Sequence, residues 1–154
     1  MPRGLSIAGA VIAAILALGC ASPSHRAGAT PAQADAIRAA LAADDIAGRI
    51  RNRQTEVDPP AVVVTDYIAA LDAIDLTGTT PRFAHALQAH RDAWAELIGP
   101  LRARSSDRAE MHDLFDRLTG PADPMHAEFT RLIDQVWATW APVEEAARSA
   151  GVDP

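Results

Sequence analysis

Lysine is absent from this 154-residue chain: all fourteen basic residues are arginine, set against twenty carboxylates for a formal net charge of −6. Arginine and lysine differ mainly at bidentate or stacked sites, so a uniform choice over scattered positions reads as base composition of the coding DNA. An acidic chain repels phosphate backbones, which argues against a nucleic-acid partner. Aromatic residues make up only 5% of the sequence, and the three Trp all fall in its C-terminal half. Cysteine occurs once, as Cys20. Catalytic signatures are missing as well: there is no His-Glu-x-x-His, no Gly-x-Ser-x-Gly, no phosphate-cradling glycine loop and no Cys-x-x-Cys-His. The serines lie in tails and turns, where capping accounts for them. These gaps predict a protein that is not an enzyme and carries no cofactor.

A membrane-spanning run is lacking too, and what stands in its place is informative. Met1 and Arg3 give a positive start, Leu5 to Leu18 carries no charge, and Gly19-Cys20 follows at once. The apolar run is shorter than the roughly twenty residues a spanning helix needs. Its length suits the core of an export signal.

Ala17-Leu18-Gly19-Cys20, after Leu16, resembles the lipobox of bacterial lipoproteins, although Ala17 stands where the family usually has Leu. The resemblance implies diacylglycerol on the Cys20 thiol, cleavage of residues 1–19, and palmitate-type acylation of the new terminus. It also implies a place in the cell envelope, facing the periplasm or the exterior, and Ala21 after the cysteine would permit outer-membrane sorting. A lone Cys in an exported chain is otherwise an unpaired reactive thiol, whereas multiple acylation meets the need of stable anchoring for more than one chain. The opposing reading makes Cys20 an incidental thiol at the end of an apolar helix. Loss of Arg3 with the signal leaves a mature charge of −7.

Residues 20–30 are small and polar with Pro and Gly, the composition of a flexible tether, in which His25 and Arg26 are solvated. Residues 31–154 then read as one all-α domain, a bundle of four or five mostly antiparallel helices. Thr30-Pro31 opens a first helix with Ile37, Leu41, Ile46 and Ile50 as an imperfect stripe, broken near Gly48 and ending in the exposed polar run Arg51 to Glu56. Asp58-Pro59-Pro60 starts a second, carrying Val64, Tyr67, Ile68, Leu71 and Ile74, with Gly78 as a left-handed terminator. Ala61 to Thr65 favours strand by composition but merges into this helical period.

Thr80-Pro81 begins a third helix with the clearest stripe, Phe83, Leu87, His90, Trp94, Leu97 and Leu101, interrupted or kinked at Gly99-Pro100. Ser106 caps a fourth, with Met111, Leu114, Phe115 and Leu118 inward. A fifth opens at Asp123-Pro124 and carries Phe129, Ile133, Val136, Trp137 and Trp140 on its apolar face, with Pro142 as a kink or a new start. Phe and Trp residues are expected at the centre of the bundle.

Tyr67-x3-Leu71-x2-Ile74-Asp75, followed by Pro81-x-Phe83, Ala86, His90 and Ala93-Trp94, resembles small exported helical bacterial proteins of no assigned function. Thr139-Trp140-x2-Val143-Glu144 resembles their C-terminal segment. The likeness implies an entire domain and carries over no site.

Two constellations remain. Met111-His112 and Met125-His126 recur at an offset of fourteen and combine soft and borderline ligands suited to copper or haem iron, although separate helices do not by themselves bring them together. His90, one turn from Trp94 on an apolar stripe, is either a braced core residue or part of a ligand site, with Asp75 as its expected partner across the helical turn. The leading expectation is a membrane-tethered lipoprotein with an unidentified protein partner. The alternative is a small-ligand or metal-binding bundle, and it gains ground if the face bearing His90 opens into a pocket.

Overall fold

A computed structural model describes residues 28–154, so the signal, Cys20 and most of the tether lie outside the described residues. Five helices form the described part: α1 (Pro31–Gln54), α2 (Pro60–Asp72), α3 (Pro81–Arg102), α4 (Met111–Thr119) and α5 (His126–Ser149). No strand occurs among these residues, and the all-α bundle expected from the helical periodicity is what the chain forms.

The helix starts follow local chemistry. Thr30 Oγ1 accepts from Gln33 N at 3.2 Å while Gln33 Oε1 accepts from Thr30 N at 2.9 Å, a reciprocal capping box ahead of Pro31. Thr80 Oγ1 likewise accepts from Phe83 N at 3.3 Å. Helix α4 starts later than expected: the Glu110 carboxylate, not Ser106, accepts from His112 N at 2.8 Å. Helix α5 starts at His126 after Asp123 Oδ1 has taken the Met125 N–H at 2.8 Å.

Several interior breaks expected from glycine and proline do not occur. Helix α1 runs through Gly48, α3 passes Pro100 for two more residues, and α5 continues past Pro142 to Ser149. Each proline deletes one helical hydrogen bond, and the packing of the flanking turns holds the helix through the gap. Helix α2 stops at Asp72, earlier than expected, and Gly78 is not left-handed; among the described glycines only Gly151, at φ +77°, is. Gly78 serves close approach instead, because a Cβ there would stand 3.2 Å from the Ala36 Cβ of α1.

Helix α3 lies between α2 and α5, α1 covers α2, and α4 packs on α5. Cross-helix pairs fix the sense: Asp72 with Arg91 and Tyr67 with Trp94 join α2 to α3, while Arg82 with Glu145 and Glu96 with Gln135 join α3 to α5. In both, one number falls as the other rises, so the neighbours are antiparallel.

The apolar interior is divided. One cluster, around Trp94, Leu97, Leu114 and Phe129, is built from α2, α3, α4 and α5. The other, around Ile37, Phe83, Leu87 and Val143, is built from α1, α3 and α5. The boundary falls on α3 between Leu87 and Trp94, and the residue there is His90.

The inward stripe of α1 differs from the expected one. It runs Ile37, Ala40, Asp44, Ala47, Arg51, Thr55, with Asp44 and Thr55 buried, while Ile46 and Ile50 are more than half exposed. Trp137 is also 48% exposed, turned about 100° from buried Val136, and Trp140 is half-buried. The bundle centre therefore holds Phe83, Phe115, Phe129 and Trp94 rather than every large aromatic.

Candidate functional site

At the boundary between the two apolar clusters, side chains from α1, α2, α3 and α5 meet in a polar seam. The Tyr67 hydroxyl of α2 donates to Asp44 Oδ1 of α1 at 2.6 Å. The Arg51 guanidinium, two turns along α1, lies 4.4 Å from the centre of the Tyr67 ring and 4.1 Å from that of Trp94. It thus sits in the corner of two electron-rich rings, which meet edge to face at 77° with centroids 5.2 Å apart. The Asn52 carboxamide oxygen accepts from Arg51 Nε at 3.1 Å and from Nη2 at 2.9 Å.

Trp94 continues the chain of contacts. Its indole N–H, which can only donate, gives a hydrogen bond to His90 Nε2 at 3.1 Å. Nε2 is therefore the lone-pair nitrogen, and the neutral ring carries its proton on Nδ1, 3.1 Å from Thr139 Oγ1 of α5. The Thr139 hydroxyl lies 2.9 Å from the Val136 carbonyl and 3.0 Å from that of Gln135, to which it donates in turn. His90 thereby ties α3 to α5.

Burial sets the protonation of this seam. It pushes the Asp44 carboxyl above its usual range, against the lowering effect of the Tyr67 hydrogen bond and the Arg51 charge. The same burial pulls Arg51 below the ordinary arginine value and raises the Tyr67 phenol. His90 falls to about 4, first through burial and then through the nearby Arg51 charge.

The seam is not sealed. It floors a cleft of about 220 Å³ whose α1 wall includes Asp44, Gly48 and Arg51 and whose α5 wall is Trp137 and Trp140. The His90 and Trp140 rings lie 5.0 Å apart, tilted by 57°. Gly48 is notable because a helix-interior glycine costs about 1 kcal/mol relative to alanine, and nothing in the packing requires it. An added Cβ would make only ordinary contact, 3.7 Å from Arg51 Nη2. What the missing side chain leaves is room in the cleft.

The other sequence candidates fall elsewhere. Asp75 does not reach His90: its Oδ1 accepts from the Thr77 amide and hydroxyl at 2.9 and 2.7 Å, which lowers its carboxyl's affinity for protons. The turn after α2 thus uses Asp75 for itself, and the partners of His90 are Trp94 and Thr139.

Met111 is buried in the core and Met125 packs against it, whereas His112 and His126 are exposed. His112 Nδ1 lies 3.1 Å from Glu110 Oε1, its ring stacks on Trp137 at 6.2 Å, and His126 Nδ1 lies 3.0 Å from the Asp123 carbonyl. Adjacent residues of a helix point about 100° apart, so each Met is turned inward and each His outward. No group of three His, Cys, Asp or Glu suited to a metal ion occurs among the described residues.

Sequence reasoning found His90 and Trp94 but missed Asp44, Arg51 and Tyr67 as a unit. The signal present was the 44/47/51 spacing on one face of α1. A second groove of about 310 Å³, between α1 and α2, is lined by Ile46, Ile50 and Val63 and is nearly all apolar. No helix among the described residues is long and apolar enough to cross a membrane. No protein-family model, curated protein or solved structure matches this chain.

Proposed function

We propose that the chain is a bacterial lipoprotein, acylated on Cys20, whose helical domain serves outside the cytoplasm as a non-enzymatic binding module for a small ligand held in the cleft between α1, α3 and α5. The observation that carries the binding role is the lining of that cleft: a buried carboxyl, a guanidinium seated against two rings and three indoles converge beside a helix-interior glycine that the fold does not need. A few placed polar groups among aromatic walls are what small-ligand sites have in common. The α1–α2 groove is also lined by Arg51, Gln54, Asp66 and Tyr67, but the surface it presents is nearly all apolar and it holds no indole. His90 supports binding over acid–base chemistry, because both ring nitrogens are engaged, by Trp94 and Thr139. The anchor rests on the Leu5 to Cys20 pattern.

Gly48→Leu tests the site. Leucine is the better helix former by about 0.8 kcal/mol, so this variant should be at least as stable as the wild type while its side chain fills the cleft. In a thermal-shift screen of the full chain in detergent against small polar metabolites, at least one compound should raise the wild-type midpoint and leave Gly48→Leu unmoved. A library that shifts neither protein, or shifts both equally, would remove the cleft from consideration. The anchor is tested separately: radiolabelled palmitate should enter the wild type and not Cys20→Ala, and label in both would refute acylation at Cys20.

A further inference from the structure

Asp44 and Arg51 carry opposite charges on the wall of one cleft, yet they form no ion pair with each other. Among the described residues the side-chain hydrogen bond to Asp44 comes from the neutral Tyr67 hydroxyl onto Oδ1, with none onto Oδ2. Arg51 gives Nε and Nη2 to neutral Asn52 and is also eased by the Tyr67 hydroxyl oxygen, but among the described residues it meets no carboxylate. Among the described residues Arg104 Nε is the single buried side-chain polar atom left without a partner, so neither Asp44 nor Arg51 holds one. Burial outweighs the nearby Arg51 charge at Asp44, and a buried carboxylate with no cation in direct contact is a costly arrangement. A guanidinium seated against two rings and bonded through Nε and Nη2 to Asn52 is held in place, so its remaining N–H edge is preorganised for a carboxylate.

We propose, resting on the reading of the cleft as a small-ligand site, that it takes a free α-amino acid with an apolar or aromatic side chain, the ammonium on Asp44, the carboxylate on Arg51 and the side chain between Trp137 and Trp140. A zwitterion supplies one partner to each unmatched charge and keeps the net charge of the cleft unchanged. The volume agrees: about 220 Å³ lies below the roughly 300–1,000 Å³ of sites for drug-sized ligands, which fits a molecule of this size. The half-exposed Trp137 and the half-buried Trp140 supply the apolar wall that a bare zwitterion such as glycine would not use.

Three matched probes, titrated by calorimetry into the full chain in detergent, decide the matter. L-Phenylalanine carries both charges, phenethylamine lacks the carboxylate, and 3-phenylpropanoate lacks the ammonium. L-Phenylalanine should bind at least tenfold more tightly than either fragment. Asp44→Asn, which retains an acceptor for Tyr67 and removes a burial-penalised charge, should fold with undiminished stability, lose at least tenfold in L-phenylalanine affinity, and leave 3-phenylpropanoate unchanged. If phenethylamine or 3-phenylpropanoate binds as tightly as L-phenylalanine and Gly48→Leu blocks it, the zwitterion proposal falls while the cleft survives as a site for a singly charged ligand. If none of the three binds, the amino-acid proposal falls, and the wider screen alone judges the cleft.

Discussion

Protonating His90 would set a second N–H against the Trp94 indole N–H, beside the Arg51 charge and out of reach of bulk water. Burial first, and then the Arg51 charge, bring its pKa down to about 4 from 6.5. The sign follows by linkage: between about 6.5 and about 4 the unfolded chain binds a proton that the folded one refuses, so stability is full above 6.5 and declines as pH falls toward 4. The loss attributable to this one residue is on the order of 3 kcal/mol. Asp44 acts in the opposite sense, since its raised pKa means that protonation at low pH relieves a burial penalty. Denaturant melts from pH 7 to pH 4 should therefore fall less steeply for His90→Gln than for the wild type, and parallel curves would remove the proposed linkage. The sequence marked His90 as a polar residue on an apolar stripe but could not name its partners. Asp75 is nearest across the α2–α3 turn, yet Thr77 two residues on captures it. Thr139, forty-nine positions away, carried no signal that propensity or spacing can read.

At the scale of helices, starts were legible and ends were not. Proline at the first position and a threonine before it fix where α1 and α3 begin, because those preferences are local. Whether a helix survives an internal glycine or proline depends on packing to either side, which residue-by-residue reading does not contain. Pro142 shows this most plainly: it is exposed, well inside α5, and α5 persists through it because Val136, Val143, Ala146 and Ala147 are seated in the two cores. Pro142→Ala restores an N–H and removes a clash, and should stabilise the fold by about 1–3 kcal/mol. An unchanged or lowered melting midpoint would mean that the bend, if any, is needed. Helix α1 misled for another reason. Its isoleucines suggested a stripe through Ile46 and Ile50, but the buried face of its C-terminal half carries Asp44 and Arg51. Side chains expected in water lie against aromatic rings because tertiary partners override pattern.

For the whole molecule, the fold class came through in full because the sequence offers helical periods throughout residues 31–149 and no alternating strand of convincing length. The division of the interior into two apolar clusters did not come through, since it arises only when α1, α3 and α5 are seen together. That division places the cleft at the border of the two clusters, with Tyr67 and Trp94 from one and Trp140 packed on the other, and it is a property of assembly rather than of any helix. The tether and the Cys20 anchor complete the proposed arrangement, a small acidic body held at a lipid surface while its seam stays open to the aqueous side; palmitate labelling and the Gly48 variant examine its two halves independently.

The seat of Arg51 against Tyr67 and Trp94 has one more bearing. A single cation there serves as mortar between α1 and the rings of α2 and α3 and, in the amino-acid proposal, as the hand extended to a guest. Mutational drift at that position cannot tune the grip without loosening the masonry, so appetite and sturdiness are bound to the same residue.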